Sequence, residues 1–305
     1  MKRVDVHAHY IPESCLDLLQ GSGPPHSSLV GDMTDLEKRV QDMDAMGVDI
    51  QAISSWPSLL NMDLAMTRRM NDGIAKAVRL HPDRFVGLAA VHMNHPEEAV
   101  AELERAVKEL SMRGLEIATN VGGKNLDAKE FAPFYAKVQE LDMPVFIHPI
   151  GVLGQDRLGS HYLSNLLGNP TDTAVAVASL IFGGVLKEFP RLRFYLAHGG
   201  GTCPYVRGRW EHGWRVRPEI KAELERPPSE YFKLFYFDSL LHSVPALNYL
   251  VETVGPERVM LGTDYPFDMG EYDAVNSITS LPHLSDAQKE QILGGNAIAL
   301  FRIEA

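Results

Sequence analysis

Val4-Asp5-Val6-His7-Ala8-His9 is a short apolar stretch that ends in two histidines. A β-strand alternates its faces, so His7 and His9 point to the same side and make a natural pair of metal ligands. Three later apolar stretches also end in polar side chains: Phe146-Ile147-His148-Pro149, Tyr195-Leu196-Ala197-His198-Gly199-Gly200 and Met260-Leu261-Gly262-Thr263-Asp264-Tyr265. We therefore expect a metal site built from strand ends.

Apolar, β-branched stretches alternate with helical stretches. The strand candidates are residues 4–10, 50–56, 85–91, 114–119, 144–149, 193–198, 234–240 and 259–265. Eight strands separated by helices are typical of a (β/α)8 TIM barrel, and a doubly wound sheet is the alternative. The polar side chains follow the first, fifth, sixth and eighth candidates, and a barrel collects such strand ends at one face. The sequence therefore favours an α/β fold of the (β/α)8 barrel type.

The segments outside the strands divide into helices and loops. Helical spacing of apolar residues marks 34–46, 96–111, 128–141, 172–188 and 285–301. Gln20–Asp32 and Pro204–Pro228 look like loops, and we expect them to cover the active site. Because no internal repeat or low-complexity stretch divides the sequence, we expect one barrel domain over residues 1–305.

Composition excludes several classes of function. The chain has 305 residues, 45% of them hydrophobic, and a formal net charge of −11. An acidic surface argues against nucleic acid or an anionic membrane as the main partner. Cys15 and Cys203 form no CxxC motif, and the sequence shows neither a signal peptide nor a membrane span. We expect a cytoplasmic enzyme that acts on a small molecule.

Four side chains are the candidate metal ligands: His7, His9, His148 and Asp264. Histidine nitrogens and a carboxylate make a site that suits Zn²⁺ with one position open. The alternatives are a satisfied core histidine for His148 and a turn-capping role for Asp264. A buried carboxylate at the catalytic end of a barrel needs a partner, however, and a metal ion supplies one.

His198 precedes three consecutive glycines and is the candidate acid/base. Its ordinary pKa lies near neutrality, which suits proton transfer beside a metal ion, although a turn histidine in a glycine-rich loop is the alternative. The fourth strand candidate, Gly114-Leu115-Glu116-Ile117-Ala118-Thr119, contains no lysine. A carbamylated lysine that bridges two metals is therefore not expected there, which favours a single ion.

Arginines are the candidate binding groups for an anionic substrate. Arg39 lies on the first predicted helix, and Arg207, Arg209, Arg215 and Arg217 follow the sixth strand together with Trp210 and Trp214. The planar guanidinium binds carboxylates through two hydrogen bonds, so a polycarboxylate substrate is the functional interpretation. Solvation of the surface is the alternative for each arginine.

Taken together, these motifs resemble the amidohydrolase superfamily, and more closely its decarboxylase branch. The resemblance covers nearly the whole chain. Its most specific motifs are His198-Gly199-Gly200-Gly201 and Thr263-Asp264-Tyr265-Pro266-Phe267, and it extends to Arg39–Asp44, Arg84–Leu88, Phe189-Pro190, Gly208-Arg209, Arg217, Arg226–Tyr231 and Asn296-Ala297.

The resemblance implies a barrel of the metal-dependent hydrolase type and a zinc-dependent, non-oxidative decarboxylase, with Mn²⁺ or Co²⁺ as other possible metals. The implied substrate is a carboxymuconate semialdehyde, such as 2-amino-3-carboxymuconate-6-semialdehyde, or a related hydroxybenzoate. His7, His9, His148 and Asp264 match the metal ligands, and His198 matches the acid/base. Arg39 matches a residue that holds the substrate carboxylate. Arg209 and Arg217 match arginines that reach across a homodimer interface.

Two positions depart from the family pattern, and two other functions compete. The segment Tyr10–Met33 is shorter than usual, and Ile150 stands where the family usually has tryptophan. One rival function is a hydrolase or hydratase that opens a lactone or hydrates an unsaturated dicarboxylate at the same site. The other is a catalytically silent metal-binding protein, against which the presence of His198 and Arg39 argues.

Overall fold

A computed structural model describes residues 1–19, 29–60 and 62–304. Eight parallel strands form one sheet in the order β1-β2-β3-β4-β7-β8-β9-β10. Their bounds are β1 Val4–His9, β2 Ile50–Ser54, β3 Phe85–Ala90, β4 Gly114–Ala118, β7 Pro144–His148, β8 Arg193–Leu196, β9 Phe235–Asp238 and β10 Val259–Met260. The remaining two strands, β5 Asn120–Val121 and β6 Lys124–Asn125, form a small antiparallel hairpin.

The first and last strands of the sheet meet and close the barrel. The amide of Val6 donates to the Leu261 carbonyl at 2.9 Å, and the amide of Asp264 donates to the His7 carbonyl at 2.8 Å. Ala8 and Tyr265 form a parallel bridge. The predicted (β/α)8 barrel is thus confirmed, and the doubly wound alternative, whose edge strands would stay apart, is wrong.

Helices surround the barrel. They are α1 Leu29–Thr34, α2 Leu36–Met46, α3 Leu64–Leu80, α4 Pro96–Lys108, α5 Ala132–Glu140, α6 Asn169–Phe182, α7 Val185–Glu188, α8 Cys203–Val216, α9 Pro218–Glu223, α10 Pro228–Phe232, α11 Val244–Val254, α12 Ala274–Thr279, α13 Asp286–Glu290 and α14 Asn296–Phe301. A π-helical turn at Ser164–Gly168 precedes α6, and a second one at Gln291–Gly295 precedes α14. Within the described residues, none of these helices has the length and apolarity needed to cross a membrane.

The loop predicted over Pro204–Pro228 is wrong, because α8, α9 and α10 occupy this segment. Pro204, Pro218 and Pro228 all lie in the first turn of a helix. Proline is tolerated there because the first helical amides have no partner within the helix. Of the other predicted loop, Gln20–Asp32, residues 20–28 lie outside the described part of the chain and the rest begins α1.

Aromatic side chains fill the barrel beneath the predicted metal ligands. The ring of Phe146 stacks on Tyr195, with 4.6 Å between centroids, and contacts the ring of His7 at 4.9 Å. Phe146 and Tyr195 are both fully buried. Because side chains on one strand alternate faces, Phe146 and His148 point into the barrel together. The layer of aromatic rings therefore supports the histidines from below.

Two adjacent glycines near the C-terminus provide a test of this packing. A Cβ atom on Gly294 would collide with the backbone carbonyl of Lys2, which leads into β1, whereas the nearest atom to a Cβ on Gly295 would be the Met1 sulfur at 3.4 Å. We expect Gly294→Ala to lower the free energy of unfolding by about 1–3 kcal/mol, a typical cost of overpacking.

The matched variant Gly295→Ala should leave stability unchanged or raise it by up to about 1 kcal/mol, because alanine favours helical backbone. Denaturant unfolding followed by circular dichroism measures both. Equal unfolding midpoints for the two variants would contradict the close approach of this turn to the start of β1.

Candidate active site

Three of the predicted metal ligands meet at the C-terminal end of the barrel. The Nε2 atoms of His7 and His9 lie 3.2 Å apart. One oxygen of Asp264, Oδ1, is 3.1 Å from His7 Nε2 and 3.2 Å from His9 Nε2. The His148 ring lies beside both histidines, with centroid distances of 5.2 Å to His7 and 4.7 Å to His9. The structure therefore brings all four predicted ligands together.

Hydrogen bonds behind the cluster fix the protonation of two imidazoles. Nδ1 of His7 lies 2.6 Å from a carboxylate oxygen of Asp238, and Nδ1 of His9 lies 2.8 Å from the carbonyl oxygen of Ser55. Because these oxygens accept hydrogen bonds, each Nδ1 carries a proton, and each Nε2 presents a lone pair when its imidazole is neutral. Two lone pairs and the Asp264 carboxylate thus face one another at about 3 Å.

Such an arrangement of acceptors repels itself unless a cation lies between them. Both ring nitrogens of His148 and Oδ1 of Asp264 are buried and make no hydrogen bond within the described part of the chain. Buried polar atoms normally have partners, and exceptions call for an ion or ligand. Imidazole nitrogens with a carboxylate oxygen suit Zn²⁺, Mn²⁺ or Co²⁺. The donor set therefore fits a divalent metal ion.

The electrostatics of the cluster also call for positive charge. Burial lowers the pKa of His7, but the carboxylates of Asp264 and Asp238 outweigh burial and raise it to about 10. Burial raises the pKa of Asp264, yet the neighbouring imidazoles hold it well below its usual value. Burial also keeps the pKa of His148 well below the ordinary value for histidine. The carboxylates thus stay ionised in a buried setting, where a cation balances them.

Asp238, at the end of β9, contributes to the site and was missed in the sequence. Besides the His7 ring, its carboxylate accepts hydrogen bonds from the backbone amides of His198 at 2.9 Å and Gly199 at 2.6 Å. A carboxylate behind a metal-ligating histidine fixes the orientation of the ring. The signal was available, because Phe235-Tyr236-Phe237-Asp238 is another apolar stretch that ends in a carboxylate.

Glu116 on β4 is a second buried carboxylate beside the cluster. It accepts a hydrogen bond from the Ser55 hydroxyl at 3.0 Å, and its other oxygen lies 3.8 Å from Nδ1 of His9. Burial raises the pKa of Glu116 to about 8. The sequence analysis of this strand considered only the absence of lysine and so overlooked this buried carboxyl group.

His198 lies between the ligand cluster and a cavity. Its Nε2 is 3.6 Å from Asp264 Oδ2, and it lines a cavity of about 250 Å³ together with Asp264. Its ligand atom falls within 4.8 Å of those of His7, His148 and Asp264. The left-handed backbone at His198, with a φ of 55°, turns the chain at this point. This placement gives His198 access to both the cluster and a bound small molecule.

The three predicted substrate-binding arginines lie elsewhere. Arg39 is fully buried, and its guanidinium donates to the Gln51 side chain at 2.8 Å and to the His9 carbonyl at 2.6 Å. It also packs over the ring of Tyr265, 4.7 Å from the centroid. These contacts hold Arg39 beside the end of β1, while its Nε makes no hydrogen bond within the described residues, and its role toward the substrate stays a prediction.

Arg209 and Arg217 are on the outer surface. Arg209 is exposed on α8, and Arg217, also exposed, ends this helix and donates to Glu219 at 2.7 Å. Neither residue lines the cavity beside His198. A contact of either arginine with substrate in this structure would therefore require a second copy of the chain.

Comparison with known proteins agrees with this geometry. A family model described as amidohydrolase matches residues 4–303. The 2-amino-3-carboxymuconate-6-semialdehyde decarboxylase of Dictyostelium discoideum is 35% identical, and the alignment covers 99% of this chain and 92% of that protein. The chain is thus similar to this decarboxylase over nearly its full length.

Two solved structures share the fold. The 5-carboxyvanillate decarboxylase of Sphingomonas paucimobilis superposes with a TM-score of 0.91 at 27% identity, covering 99% of both chains. A dihydroxybenzoic acid decarboxylase of Polaromonas sp. JS666, with bound manganese and the inhibitor 2-nitroresorcinol, gives a TM-score of 0.88 at 27% identity over 100% of this chain and 98% of that one. On the family match and the full-length relative, this chain belongs to the amidohydrolase family.

Proposed function

We propose that this protein is a metal-dependent, non-oxidative decarboxylase of a small unsaturated carboxylic acid. The observation that carries the proposal is the cluster of His7, His9, His148 and Asp264 directly beside His198 and a cavity, in which the His148 nitrogens and one Asp264 oxygen lack hydrogen bonds. The similar proteins support it, since their names describe decarboxylases of a carboxymuconate semialdehyde and of aromatic acids. Candidate substrates are therefore carboxymuconate semialdehydes and hydroxybenzoates.

The four clustered side chains would hold one divalent ion. Three imidazole nitrogens and a carboxylate oxygen favour Zn²⁺, with Mn²⁺ and Co²⁺ as the alternatives. When bound, such an ion supplies Lewis acidity toward an oxygen atom of the substrate. Asp238 holds the His7 ring through Nδ1, and the Ser55 carbonyl holds the His9 ring in the same way. Both contacts keep the Nε2 lone pairs directed at the ion.

His198 would move the proton that decarboxylation requires. The imidazolium donates a proton to the substrate carbon that bears the carboxylate, which interrupts the conjugation of the substrate. The bond between this carbon and the carboxylate then breaks, its electron pair restores the conjugation, and CO2 leaves. A hydrogen thus replaces the carboxylate without an oxidant or reductant. The hydrogen bond from the His198 backbone amide to the Asp238 carboxylate positions His198 for this transfer.

We further propose a homodimer in which Arg209 or Arg217 enters the partner's active site. Both arginines are exposed, and neither lines the cavity beside His198 in its own chain, which supports this proposal. An exposed Tyr205 and the partly buried Trp210 on the same helix supply aromatic surface, and aromatic and arginine residues are enriched where interfaces bind most strongly.

The activity is tested directly with a substrate panel. Metal-loaded protein should release one CO2 per molecule of a carboxymuconate semialdehyde or hydroxybenzoate consumed, followed by ultraviolet absorbance and CO2 detection. His198→Ala should keep its metal and lose about 10²–10⁴-fold in turnover, the usual contribution of a general acid/base. His283→Ala, an exposed histidine far along the chain, is the control and should leave turnover unchanged.

Two outcomes would count against these roles. Product that gains water without CO2 release would support the hydratase alternative instead. Loss of metal from His198→Ala would make His198 a ligand, and full activity in this variant would favour a catalytically silent site.

Removal of the charge on Asp238 tests whether its carboxylate orients His7 for metal binding. Asp238→Asn should weaken metal affinity by about 10–100-fold, because an amide oxygen accepts from His7 Nδ1 more weakly than a carboxylate does and the amide nitrogen cannot accept at all. Competition with a chromophoric chelator measures the affinity. His198→Ala, which leaves the bond between His7 and Asp238 intact, serves as the comparison. An unchanged affinity in Asp238→Asn would show that the carboxylate does not orient His7 for metal binding.

Mixed dimers test whether an arginine of one subunit acts in the active site of its partner. One subunit carries His198→Ala and the other Arg209→Ala, each variant being poorly active alone. If Arg209 acts in the partner's site, one of the two sites in each mixed dimer has all its groups, and activity returns on mixing. If activity stays at the level of the separate variants, Arg209 does not act across the interface. The same pairing with Arg217→Ala identifies which arginine enters.

A further inference from the structure

Two of the three histidines in the ligand cluster have an acceptor behind them, and the third has none. Nδ1 of His7 faces the Asp238 carboxylate at 2.6 Å, and Nδ1 of His9 faces the Ser55 carbonyl at 2.8 Å. His148 is buried, yet neither of its ring nitrogens makes a hydrogen bond within the described part of the chain. One of these nitrogens can bind the ion, which leaves the other without a partner.

A metal-bound His148 needs an acceptor for its second nitrogen. An imidazole that binds an ion through one nitrogen carries its proton on the other, and metal-ligating histidines almost always donate this N–H to a carboxylate, a carbonyl or water. A buried N–H without an acceptor costs free energy. The acceptor also fixes the orientation of the ring and thereby supports the affinity of the site for its metal.

Glu116 carries an acceptor that fits this role. Its side chain is fully buried, and its Oε1 has no hydrogen-bond partner among the residues that the structure describes. An oxygen of Glu116, a nitrogen of His148 and a nitrogen of His9 all lie within 4.8 Å of one another. Small rotations of the side chains close such a gap, or one water molecule bridges it. The unpaired acceptor and the unpaired donor therefore occupy the same part of the barrel.

The other groups near Glu116 leave this oxygen free. His9 commits Nδ1 to the Ser55 carbonyl, and its distance of 3.8 Å from Glu116 Oε1 is too long for a hydrogen bond. The Ser55 hydroxyl donates to the second oxygen, Oε2, at 3.0 Å and so holds the carboxylate in place. Tyr195 has a buried hydroxyl without a partner, and burial followed by the Glu116 carboxylate raises its pKa. Tyr195 is therefore the rival donor.

We propose that Glu116 is a positioning residue, which accepts the second ring N–H of His148 and thereby orients this imidazole toward the divalent ion. The inference rests on the metal site of the proposed function and deepens it, because it assigns the support of the third histidine. Ser55 then supports two ligands, His9 through its carbonyl and His148 through the bond of its hydroxyl to Glu116.

The metal affinities of two Glu116 variants test the assignment without reference to turnover. Glu116→Leu removes the acceptor and should weaken Zn²⁺ binding by about 10–100-fold, measured by competition with a chromophoric chelator. Glu116→Gln keeps an acceptor oxygen, and its amide can donate to the Ser55 hydroxyl, so its affinity should stay within about fivefold of that of the unmodified protein. Tyr195→Phe, which removes only the rival hydroxyl, is the control and should leave the affinity unchanged.

Three results would overturn the inference. An unchanged affinity in Glu116→Leu would show that Glu116 does not support the metal site. Equal losses in Glu116→Leu and Glu116→Gln would assign the effect to the charge instead of to an acceptor atom. A loss in Tyr195→Phe as large as that in Glu116→Leu would make Tyr195 the donor that Glu116 serves.

A second background shows whether Glu116 acts through His148. In a His148→Ala protein, Glu116→Leu should cause no further loss of Zn²⁺ affinity, because the ring that Glu116 supports is gone. In an Asp238→Asn protein, where the change acts on His7, the two losses should multiply. A full additional loss in the His148→Ala background would contradict the assignment.

Stability and coordination are measured on the same proteins. Metal-free Glu116→Leu should resist denaturant at least as well as the unmodified protein, because an apolar group replaces a partly unpaired buried carboxyl group. Glu116→Met repeats the affinity measurement if Glu116→Leu does not fold. The visible absorption of bound Co²⁺ should keep its intensity in the folded variant. A marked increase, which indicates a lower coordination number, would make Glu116 a ligand and overturn its positioning role.

Turnover separates this inference from the proposed function. If the affinities follow the expected pattern but no acid in the substrate panel loses CO2, the proposed decarboxylase is wrong and the role of Glu116 stands. If CO2 is released but Glu116→Leu binds Zn²⁺ as tightly as the unmodified protein, the role of Glu116 is wrong and the decarboxylase stands.

Discussion

The mutual repulsion of three buried acceptors is the constraint on which this active site depends. Hydrogen bonds to Asp238 and Ser55 commit the protons of His7 and His9 to Nδ1, so both Nε2 lone pairs face the Asp264 carboxylate. Positive charge between the acceptors, either a proton on His7 or a divalent ion, relieves this repulsion and keeps both of the hydrogen bonds behind them. The barrel thus holds the cluster in a geometry that a divalent cation stabilises, and the surrounding residues serve to maintain it.

Much of this arrangement could be predicted from the sequence, because the periodicity of strands carries the information. Apolar stretches that end in His7, His9, His148 and Asp264 indicated both the barrel and the convergence of these side chains. Periodicity does not report which charges become buried. Arg39 lies on an ordinary amphipathic helix, and only the packing of α2 against β1 shows that its guanidinium points inward to the His9 carbonyl. The segment after β8 was predicted as a loop, but prolines in first-turn positions are compatible with the helices that the structure has there.

One carboxylate connects the two halves of the proposed chemistry. Asp238 accepts from the His7 ring on the metal side and from the backbone amides of His198 and Gly199 on the side of proton transfer. A shift of β9 would therefore move both groups together. Because the side chain also lies fully buried, it has little freedom to serve one contact at the expense of the other. A single residue thereby fixes the position of His7 relative to the backbone at His198.

The closure of the barrel has a consequence for the newly made chain. Asp5 and Thr263 are 258 positions apart, yet they share two hydrogen bonds beneath the ligand cluster. During synthesis the first two histidines leave the ribosome long before Asp264 exists. A truncated product that stops short of this residue keeps a His-x-His pair but lacks the carboxylate that completes the cage. On the proposed function, the complete set of metal ligands therefore exists only in a chain that has been synthesised past Asp264.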